Sequence, residues 1–288
     1  MSMPKRKELA NVFAYEEEAQ KYLLEKGVFY IINACPSCGN KVSLKGKNYR
    51  CTKDGCRKSI CLYNNSFFAG NKLKIHETLE LAYYWLANCS YTTAHIITGH
   101  SPNTITAYYS YFRQLVTSSL EEYQSEIGGP GIVVEIDESK FGKRKYNRGH
   151  RVEGAWVFGG IERTPEKRFF TKVVEKRDEE TLLSILNEYV APGSIVYSDC
   201  WRAYKNISNL LNIEHATVNH SLGFVDKEYN IHTNTIEAKW GALKRKISLR
   251  GRVQEKLDSH LMEHIWRAAN KNSIWDSFIE SLKSTLYQ

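Results

Sequence analysis

Long apolar runs are missing from this sequence. No stretch within its 288 residues approaches the roughly 18 consecutive apolar residues that a membrane span requires, and the N-terminus has no signal-peptide core. Internal repeats and low-complexity segments are also absent. We therefore expect an intracellular globular protein, long enough for one sizeable domain and one or two small modules.

Acidic residues are the minority among the charged ones. Lys and Arg number 40 against 32 Asp and Glu, which gives a formal net charge of +8 and an isoelectric point of about 9.0. This balance favours a polyanionic partner, although basic proteins without a nucleic-acid role also exist. The excess is concentrated in residues 140–151 and 242–252, and this clustering strengthens the expectation of nucleic acid.

Cysteine is scarce and unevenly placed. Of seven cysteines, four fall within 22 residues, and in a chain without a signal peptide this clustering indicates a metal rather than disulfides. Two close pairs of thiolates can hold Zn²⁺ tetrahedrally and fold a segment that has little core of its own. The predicted zinc ligands are Cys35, Cys38, Cys51 and Cys56. Cys61 could replace Cys56, and Cys89 and Cys200 are expected to be buried.

Residues 70–127 show helical apolar spacing and contain a candidate helix-turn-helix. A short helix from Tyr91 should stop at Gly99, and Ser101 can cap a second helix whose first residue is Pro102. This arrangement places a second helix in a DNA major groove, although an ordinary helical hairpin is the alternative. The predicted groove-facing residues are Asn103, Thr104, Thr106 and Arg113, with Tyr108, Tyr109 and Tyr111 available for phosphate contact or packing.

A break at residues 128–130 (Gly-Gly-Pro) indicates a linker. Beyond it, the patterns predict strands and helices in the order βββαβαβα. This order favours an α/β fold, a mixed five-stranded sheet with flanking helices in which the first and fourth strands are neighbours. The expected domains are an N-terminal segment (1–30), a zinc ribbon (31–66), a helical DNA-binding domain (70–127), the α/β domain (131–254) and a C-terminal helical segment (255–288).

Three carboxylates in the α/β domain are expected near the ends of two strands and near the start of a helix. Asp137 lies near the end of the first strand, Asp199 ends the fourth, and Glu237 lies one turn into the final helix. Because the two strand ends are neighbours, we expect the helix to bring its carboxylate onto the two aspartates. Three such oxygen donors can hold two Mg²⁺ or Mn²⁺ ions about 3.5–4 Å apart, an arrangement suited to phosphodiester chemistry.

Each acid also has another interpretation. Strand alternation puts Glu135 on the same face as Asp137 and Glu138 on the opposite face, so either glutamate could compete for the role. Asp199 could instead cap the helix that follows it. Glu237 could be a solvated helix residue.

One lysine and several aromatic residues accompany these acids. Lys244 follows Glu237 by seven residues, which puts both on one helix face; it could hold a DNA phosphate or be merely solvated. Trp201, Tyr204 and Trp240 are expected to belong to the core or to a platform, with base stacking as the lesser alternative.

Three strings resemble the catalytic core of Merlin-type DDE transposases, eukaryotic relatives of a group of bacterial insertion-sequence transposases with an RNase H-like catalytic domain. They are VVEIDESKFGKRKYNRGHRVEGAWVFGGIER, SDCWRAYKNI and HTNTIEAKWGALKR, and the similarity is continuous from about residue 131 to 250. The resemblance implies an RNase H-like fold and a catalytic triad of Asp137, Asp199 and Glu237, followed by Lys244. In some bacterial relatives the third acid is replaced, which makes Asn234 a nearby polar candidate.

The resemblance also implies cut-and-paste transposition. Such a protein binds terminal inverted repeats in double-stranded DNA, cleaves the element's ends and joins the 3′-hydroxyls to target DNA, as a homodimer or higher oligomer. The expected location is the nucleus if the host is eukaryotic and otherwise the cytoplasm. The predicted DNA contacts of the core are Lys140, Lys143, Arg144, Lys145, Arg148, Arg151, Lys244 and Arg245.

Two other functions stay open from the sequence. One is a domesticated DNA-binding protein that keeps the fold but no longer cuts, which the intact triad disfavours. The other is an RNase H-like nuclease or resolvase, which would leave the zinc and helix-turn-helix modules without a purpose.

Overall fold

The computed structural model describes residues 3–118, 126–142, 154–218 and 231–285. Contacts between residues divide the chain into two compact units, Met1–Ser119 with Asn270–Gln288, and Leu120–Ala269. This division into two units does not test the bounds of the five domains predicted from the sequence, which stay a prediction. In the described part of the chain, no helix is long and apolar enough to cross a membrane.

The first unit combines helices with a small antiparallel sheet. Its helices are α1 (Ala10–Ala14), α2 (Glu16–Glu25), α3 (Ile75–Leu86), α4 (Tyr91–Thr98), α5 (Pro102–Ser118) and the C-terminal α10 (Ile274–Ser284). Its strands are β1 (Val42–Lys45), β2 (Asn48–Cys51) and β3 (Ser59–Cys61), in that order in the sheet. The helices share an aromatic core, in which the ring of Phe112 lies 5.7 Å from that of Trp85 and 5.6 Å from that of Phe278.

Local sequence signals explain α4 and α5. The Ser90 side chain caps α4 by accepting a hydrogen bond from the backbone N–H three residues ahead (3.0 Å), and Gly99 ends the helix in the left-handed region (φ 71°). Ser101 Oγ then accepts from the N–H of Thr104 (3.1 Å), and Pro102 is the first residue of α5. The two helices predicted around this turn are therefore confirmed.

The second unit is built on a mixed five-stranded sheet. Its strands are β5 (Val133–Phe141), β6 (Ala155–Glu162), β7 (Phe169–Val174), β9 (Ile195–Asp199) and β10 (Glu214–Val218), and β4 (Ile127–Gly128) pairs separately with β8 (Val190–Ala191). The order β10-β9-β5-β6-β7 makes the first and fourth main strands parallel neighbours, as the predicted RNase H-like fold requires. Its helices are α6 (Glu179–Tyr189), α7 (Ile207–Leu210), α8 (Asn234–Lys246) and α9 (Gln254–Ala269).

Alternation along β5 divides its side chains between the two faces of the sheet. Val134 and Ile136 belong to an apolar core shared with Phe158 of β6 and with α6 and α7. The odd-numbered residues of β5 contact α8 on the other face, and α9 packs against β7. The sheet is therefore covered on both faces, and α8 lies over the strand that carries Asp137.

The segment after β9 is not the single continuous helix that the predicted order of elements requires there. It forms a 3₁₀ turn (Arg202–Tyr204) and the one-turn helix α7. Asn206 interrupts the helix with φ −102° and ψ 10°, and its side-chain amide donates to Glu179 Oε1 (2.6 Å). The prediction that Cys200 is buried is also wrong, because this cysteine is exposed where the chain leaves the sheet.

Candidate active site and nucleic-acid interface

Asp137, Asp199 and Glu237 approach one another where β9 ends beside the middle of β5. The register pairs Glu135 of β5 with Tyr197 of β9, so two residues further along these parallel strands the two aspartates are level. Glu237 lies in the first turn of α8. The pKa of Asp137 is raised to about 6, mainly by burial and also by the negative charges of Asp199 and Glu237. Asp137 therefore lies close enough to Asp199 and to Glu237 for both charges to act on it.

Each of the three carboxylates also has a hydrogen-bond donor. The pairs are Trp240 Nε1 with Asp137 Oδ2 (3.0 Å), the Trp201 N–H with Asp199 Oδ1 (3.0 Å) and Thr233 Oγ1 with Glu237 Oε1 (3.1 Å). The bond to Asp199 comes from two residues ahead and forms an Asx turn rather than a helix cap. Among the described residues, no three carboxylates have ligand oxygens all within 4.8 Å of one another. The acids thus converge without forming a closed ligand set.

Glu135, the competing acid on the face of Asp137, has a different set of partners. It is fully buried, and its carboxylate accepts hydrogen bonds from Arg163 Nε (2.6 Å) and from the N–H of Thr235 (2.7 Å). Both of its oxygens are occupied in this way by Arg163 and α8. Asp137 is therefore the acid of this face of β5 that approaches Glu237.

Glu138, the second competitor, points to the opposite face. Its Oε1 accepts a hydrogen bond from the Tyr204 hydroxyl (2.7 Å), and burial raises its pKa to about 7. On the same face, the Arg177 guanidinium lies 3.5 Å from the ring centroid of Trp156 and 5.0 Å from that of Trp201. The predicted platform role thus fits Trp201, which stacks with a cation beside Asp199, whereas Tyr204 belongs to the core.

Lys244 is held against the strand that carries Asp137. Its Nζ donates to Ser139 Oγ at 2.7 Å and lies 5.3 Å from the ring centroid of Phe141. Burial lowers the pKa of Lys244, while the charge of Asp137 acts in the opposite direction. A merely solvated lysine does not describe this residue, which is half-buried beside the acids. Asn234, in contrast, is exposed at the first residue of α8.

Trp240 and Gly159 complete the site through a contact that the sequence analysis did not predict. Gly159 lies directly opposite Asp137 on β6. A Cβ atom at Gly159 would approach Trp240 Cη2 and the Phe170 carbonyl oxygen to 2.7 Å each, so the buried indole uses the space that glycine leaves. The only sequence signal was the pair of adjacent glycines inside a strand, which indicates a close approach.

The predicted basic DNA contacts are only partly described. Lys140 is exposed and its Nζ lies 5.5 Å from the ring centroid of Trp156. Arg245 is exposed in the last turn of α8. The predicted contacts at Lys143, Arg144, Lys145, Arg148 and Arg151 lie outside the described residues.

The four predicted zinc ligands come together at the small sheet of the first unit. Their sulfur atoms all lie within 4.8 Å of one another, with Sγ–Sγ distances of 3.8 Å between Cys35 and Cys56 and 3.5 Å between Cys38 and Cys51. A tetrahedral ion with metal–sulfur bonds of about 2.3 Å needs sulfur atoms about 3.8 Å apart, so this cluster could hold a metal. Cys61 is not part of it.

The predicted groove-facing residues of α5 divide into two groups. Asn103 and Thr106 are exposed and Thr104 is partly exposed. Arg113, however, is 8% exposed, so its prediction as a groove-facing residue is wrong. It lies four residues after Tyr109 and three before Val116, both buried, and this spacing puts it on the inner face of the helix.

The tyrosines of α5 divide in the same way. Tyr108 and Tyr109 are buried, and Tyr111 is 46% exposed. The packing alternative therefore applies to Tyr108 and Tyr109, and only Tyr111 keeps a surface that could meet a phosphate.

Comparison with known proteins assigns a family to the second unit. Residues 127–269 match the model of the ISXO2-like transposase domain. An uncharacterised transposase-like protein of Haemophilus influenzae is 34% identical over 104 residues, which are 36% of this chain and 82% of the relative. Both matches are to transposases, which confirms the resemblance predicted from the sequence.

Two solved structures share part of the backbone at low similarity. A chain of the simian T-cell lymphotropic virus intasome in complex with the PP2A regulatory subunit B56 gamma is 12% identical, with a TM-score of 0.33 over 65% of this chain and 67% of that one. A chain of the Mos1 strand transfer complex is 12% identical, with a TM-score of 0.28 over 76% and 81%. The family assignment depends on the sequence matches alone.

Proposed function

We propose that this chain, which belongs to the ISXO2-like transposase family, binds terminal inverted repeats and carries out metal-dependent cut-and-paste transposition. The observation that carries the proposal is the approach of Asp199 and Glu237 to Asp137 beside the end of β9, within the matched domain. Burial of Asp137 near two other acids from separate elements disfavours its charged form, and a bound cation would offset that cost.

The donor set suits hard divalent cations. Carboxylate oxygens are the ligands that Mg²⁺ and Mn²⁺ prefer, and Asp137, Asp199 and Glu237 are the residues that would hold them. Two such ions, when bound, supply activation of a nucleophilic oxygen and stabilisation of the leaving oxygen in phosphodiester chemistry. Lys244, held by Ser139 beside these acids, is suited to pairing with a phosphate of the cleaved strand.

The remaining features support DNA recognition. The exposed side chains of Asn103 and Thr106 on α5 can reach base edges, and the exposed Lys140 and Arg245 can contact phosphates. The Cys₄ cluster supports a structural Zn²⁺, because all four ligand positions are filled by thiolates. Paired cleavage of two element ends requires at least a dimer on double-stranded DNA.

The test is an end-cleavage and joining assay. Purified protein is incubated with a labelled duplex carrying the element's end and with a target plasmid, in Mg²⁺ or Mn²⁺. Asp199→Ala is compared with Asp258→Ala, which removes an exposed acid on α9. We expect the wild type and Asp258→Ala to cut the end and join it to plasmid, and Asp199→Ala to bind the end without cutting.

Two other outcomes would replace the proposal. If all three proteins bind the end equally and none cuts in either metal, the chain is a catalytically silent DNA-binding protein. If the wild type cuts duplexes with and without the element's end at the same rate, the chain is a nuclease without end recognition.

A further inference from the structure

Three alternate residues of β5 each hydrogen-bond a successive part of α8. The pairs are Glu135 with Thr235, Asp137 with Trp240, and Ser139 with Lys244. Two residues of a strand advance about 6.8 Å, and four to five residues of a helix advance about 6–7.5 Å. The two spacings therefore match, and the helix lies in register along the strand that carries Asp137.

Glu135 supplies the N-terminal cap that α8 lacks. The N-cap residue Thr233 makes no side-chain capping bond. Glu135, 100 residues earlier, accepts hydrogen bonds from the N–H groups of Thr235 (2.7 Å) and Ile236 (3.0 Å) and from the Thr235 hydroxyl (2.8 Å). These N–H groups have no partner within the helix, and a negative charge at this end also interacts favourably with the helix dipole.

The carboxylate is itself fixed from the other side. Arg163 donates to Glu135 through Nε (2.6 Å), and its terminal nitrogen donates to the backbone oxygen of His232 (2.7 Å), just before α8. The Arg163 guanidinium also lies 4.8 Å from the ring centroid of Tyr197 on β9. One buried ion pair thus joins β5, β9 and the start of α8, and a charge that is fully buried tolerates little displacement from its partners.

We infer that Glu135 is a positioning residue, which fixes the first turn of α8 and thereby places the Glu237 carboxylate relative to Asp137. The inference rests on the proposed function. Glu237 directly follows Ile236, whose N–H is bonded to Glu135, so movement of this turn moves the acid. A misplacement of about 1 Å in a catalytic group can lower turnover about 100-fold.

The experiment compares Glu135→Gln with a matched variant, Glu162→Gln. Glu162 is also buried, at 1% exposure, and also pairs with an arginine, Arg168 (2.6 Å). It lies on β6 opposite Val134, on the face away from α8. Each variant removes the charge of a buried carboxylate and replaces one of its accepting oxygens with an NH₂ group, so both lose the ion pair to an arginine. Only Glu135→Gln also weakens the cap of α8.

The expected result is a selective loss of turnover. Glu135→Gln should cleave the labelled end about 30- to 100-fold more slowly than Glu162→Gln at saturating DNA and metal, with equal affinity for the end in a binding assay. Equal cleavage rates for the two variants would overturn the inference. If Glu135→Gln does not fold, Thr235→Val, which removes only the 2.8 Å hydroxyl bond, should still slow cleavage several-fold, and an unchanged rate would overturn the inference.

Amide hydrogen exchange provides a readout that does not depend on activity. Glu135→Gln should speed exchange in the first turn of α8 at least 10-fold while β5 keeps its protection, and Glu162→Gln should leave α8 unchanged. If the wild type does not cleave at all, the proposed function fails, and exchange alone then decides the inference: selective loss of protection in α8 supports it, and unchanged protection overturns it.

Discussion

A single methyl group added at Gly159 should displace the Trp240 side chain and so disturb the proposed active site. In Gly159→Ala the new Cβ would lie 2.7 Å from Trp240 Cη2 and from the Phe170 carbonyl oxygen. Because carbon–carbon contacts are favourable at about 3.5 Å or more, the indole ring must move by about 0.8 Å. That shift exceeds the range of about 0.5 Å over which N–H···O hydrogen bonds are found. The bond of Trp240 to Asp137 (3.0 Å) should therefore weaken or break.

The magnitude has two parts. Overpacking a core costs about 1–3 kcal/mol, and a hydrogen bond to a charged group contributes about 1.5–3 kcal/mol, so we expect a loss of about 2.5–6 kcal/mol in the free energy of unfolding. Cleavage should fall by more than the stability loss explains, because Asp137 loses its orientation. Urea denaturation measures the first quantity, and end cleavage at saturating metal, under conditions where the variant is folded, measures the second.

Gly160→Ala is the matched control. Its Cβ would lie 2.6 Å from Phe170 Cε1 on the face of the sheet away from α8, so it should cost only the overpacking part, about 1–3 kcal/mol, and leave Trp240 and Asp137 in place. If Gly159→Ala and Gly160→Ala cleave at the same rate when folded, the link from Gly159 through Trp240 to Asp137 is refuted.

Three further predictions concern the metal cluster, pH and DNA recognition. Cys51→Ser should lower the zinc content from one ion per chain to none by elemental analysis, whereas Cys61→Ser, outside the cluster, should keep the ion; loss of zinc in both would contradict the assigned ligands. Burial lowers the pKa of His264 to about 4, so the unfolded state binds a proton more tightly than the folded state does. The contribution of the neutral His264 to the free energy of unfolding is therefore fully present above pH 6.5 and is lost as the pH falls towards 4. Between pH 7 and pH 5 the loss should be about 2 kcal/mol, and an equal loss in His264→Gln by urea denaturation would show that other groups cause it. Asn103→Ala should weaken binding to the element's end about 10-fold in a mobility-shift assay, whereas Gln114→Ala, exposed later on α5, should bind normally; equal effects would rule out base contact by Asn103.

Sequence patterns predicted those parts of the fold that depend on local signals. The strand that contains Asp137 and the helix α6 before β9 carry their own periodicity, and the order of elements then restricts which strands are neighbours. The Ser101–Pro102 pair contains the capping chemistry that starts α5. Four cysteines in two close pairs are likewise a local signal, and their grouping is confirmed.

Local signals do not identify hydrogen-bond and ion-pair partners that are distant in the sequence. Strand alternation put Glu135 on the face of Asp137, but nothing in the sequence indicates that its partners lie at Thr235 and Arg163. Arginine is mostly exposed in proteins, but the spacing of Arg113 from buried neighbours on α5 puts it on the inner face, and its predicted groove-facing role is wrong. Side-chain type was a weaker guide there than helical periodicity.

Two buried glutamates in the described part of the second unit, Glu135 and Glu162, show how the sheet can hold its acids in place. Glu162 binds Arg168 and the N–H of Gly128 (2.6 Å) on one face, and Glu135 binds Arg163 and α8 on the other. A buried ion pair adds little net stability, because desolvation of both charges opposes their attraction. Its geometric tolerance is narrow, however, since a displaced partner leaves a buried charge unpaired. The Glu135 pair therefore contributes more to the register of α8 on β5 than to the stability of the sheet. That register in turn sets the position of Glu237 on α8 relative to Asp137 on β5.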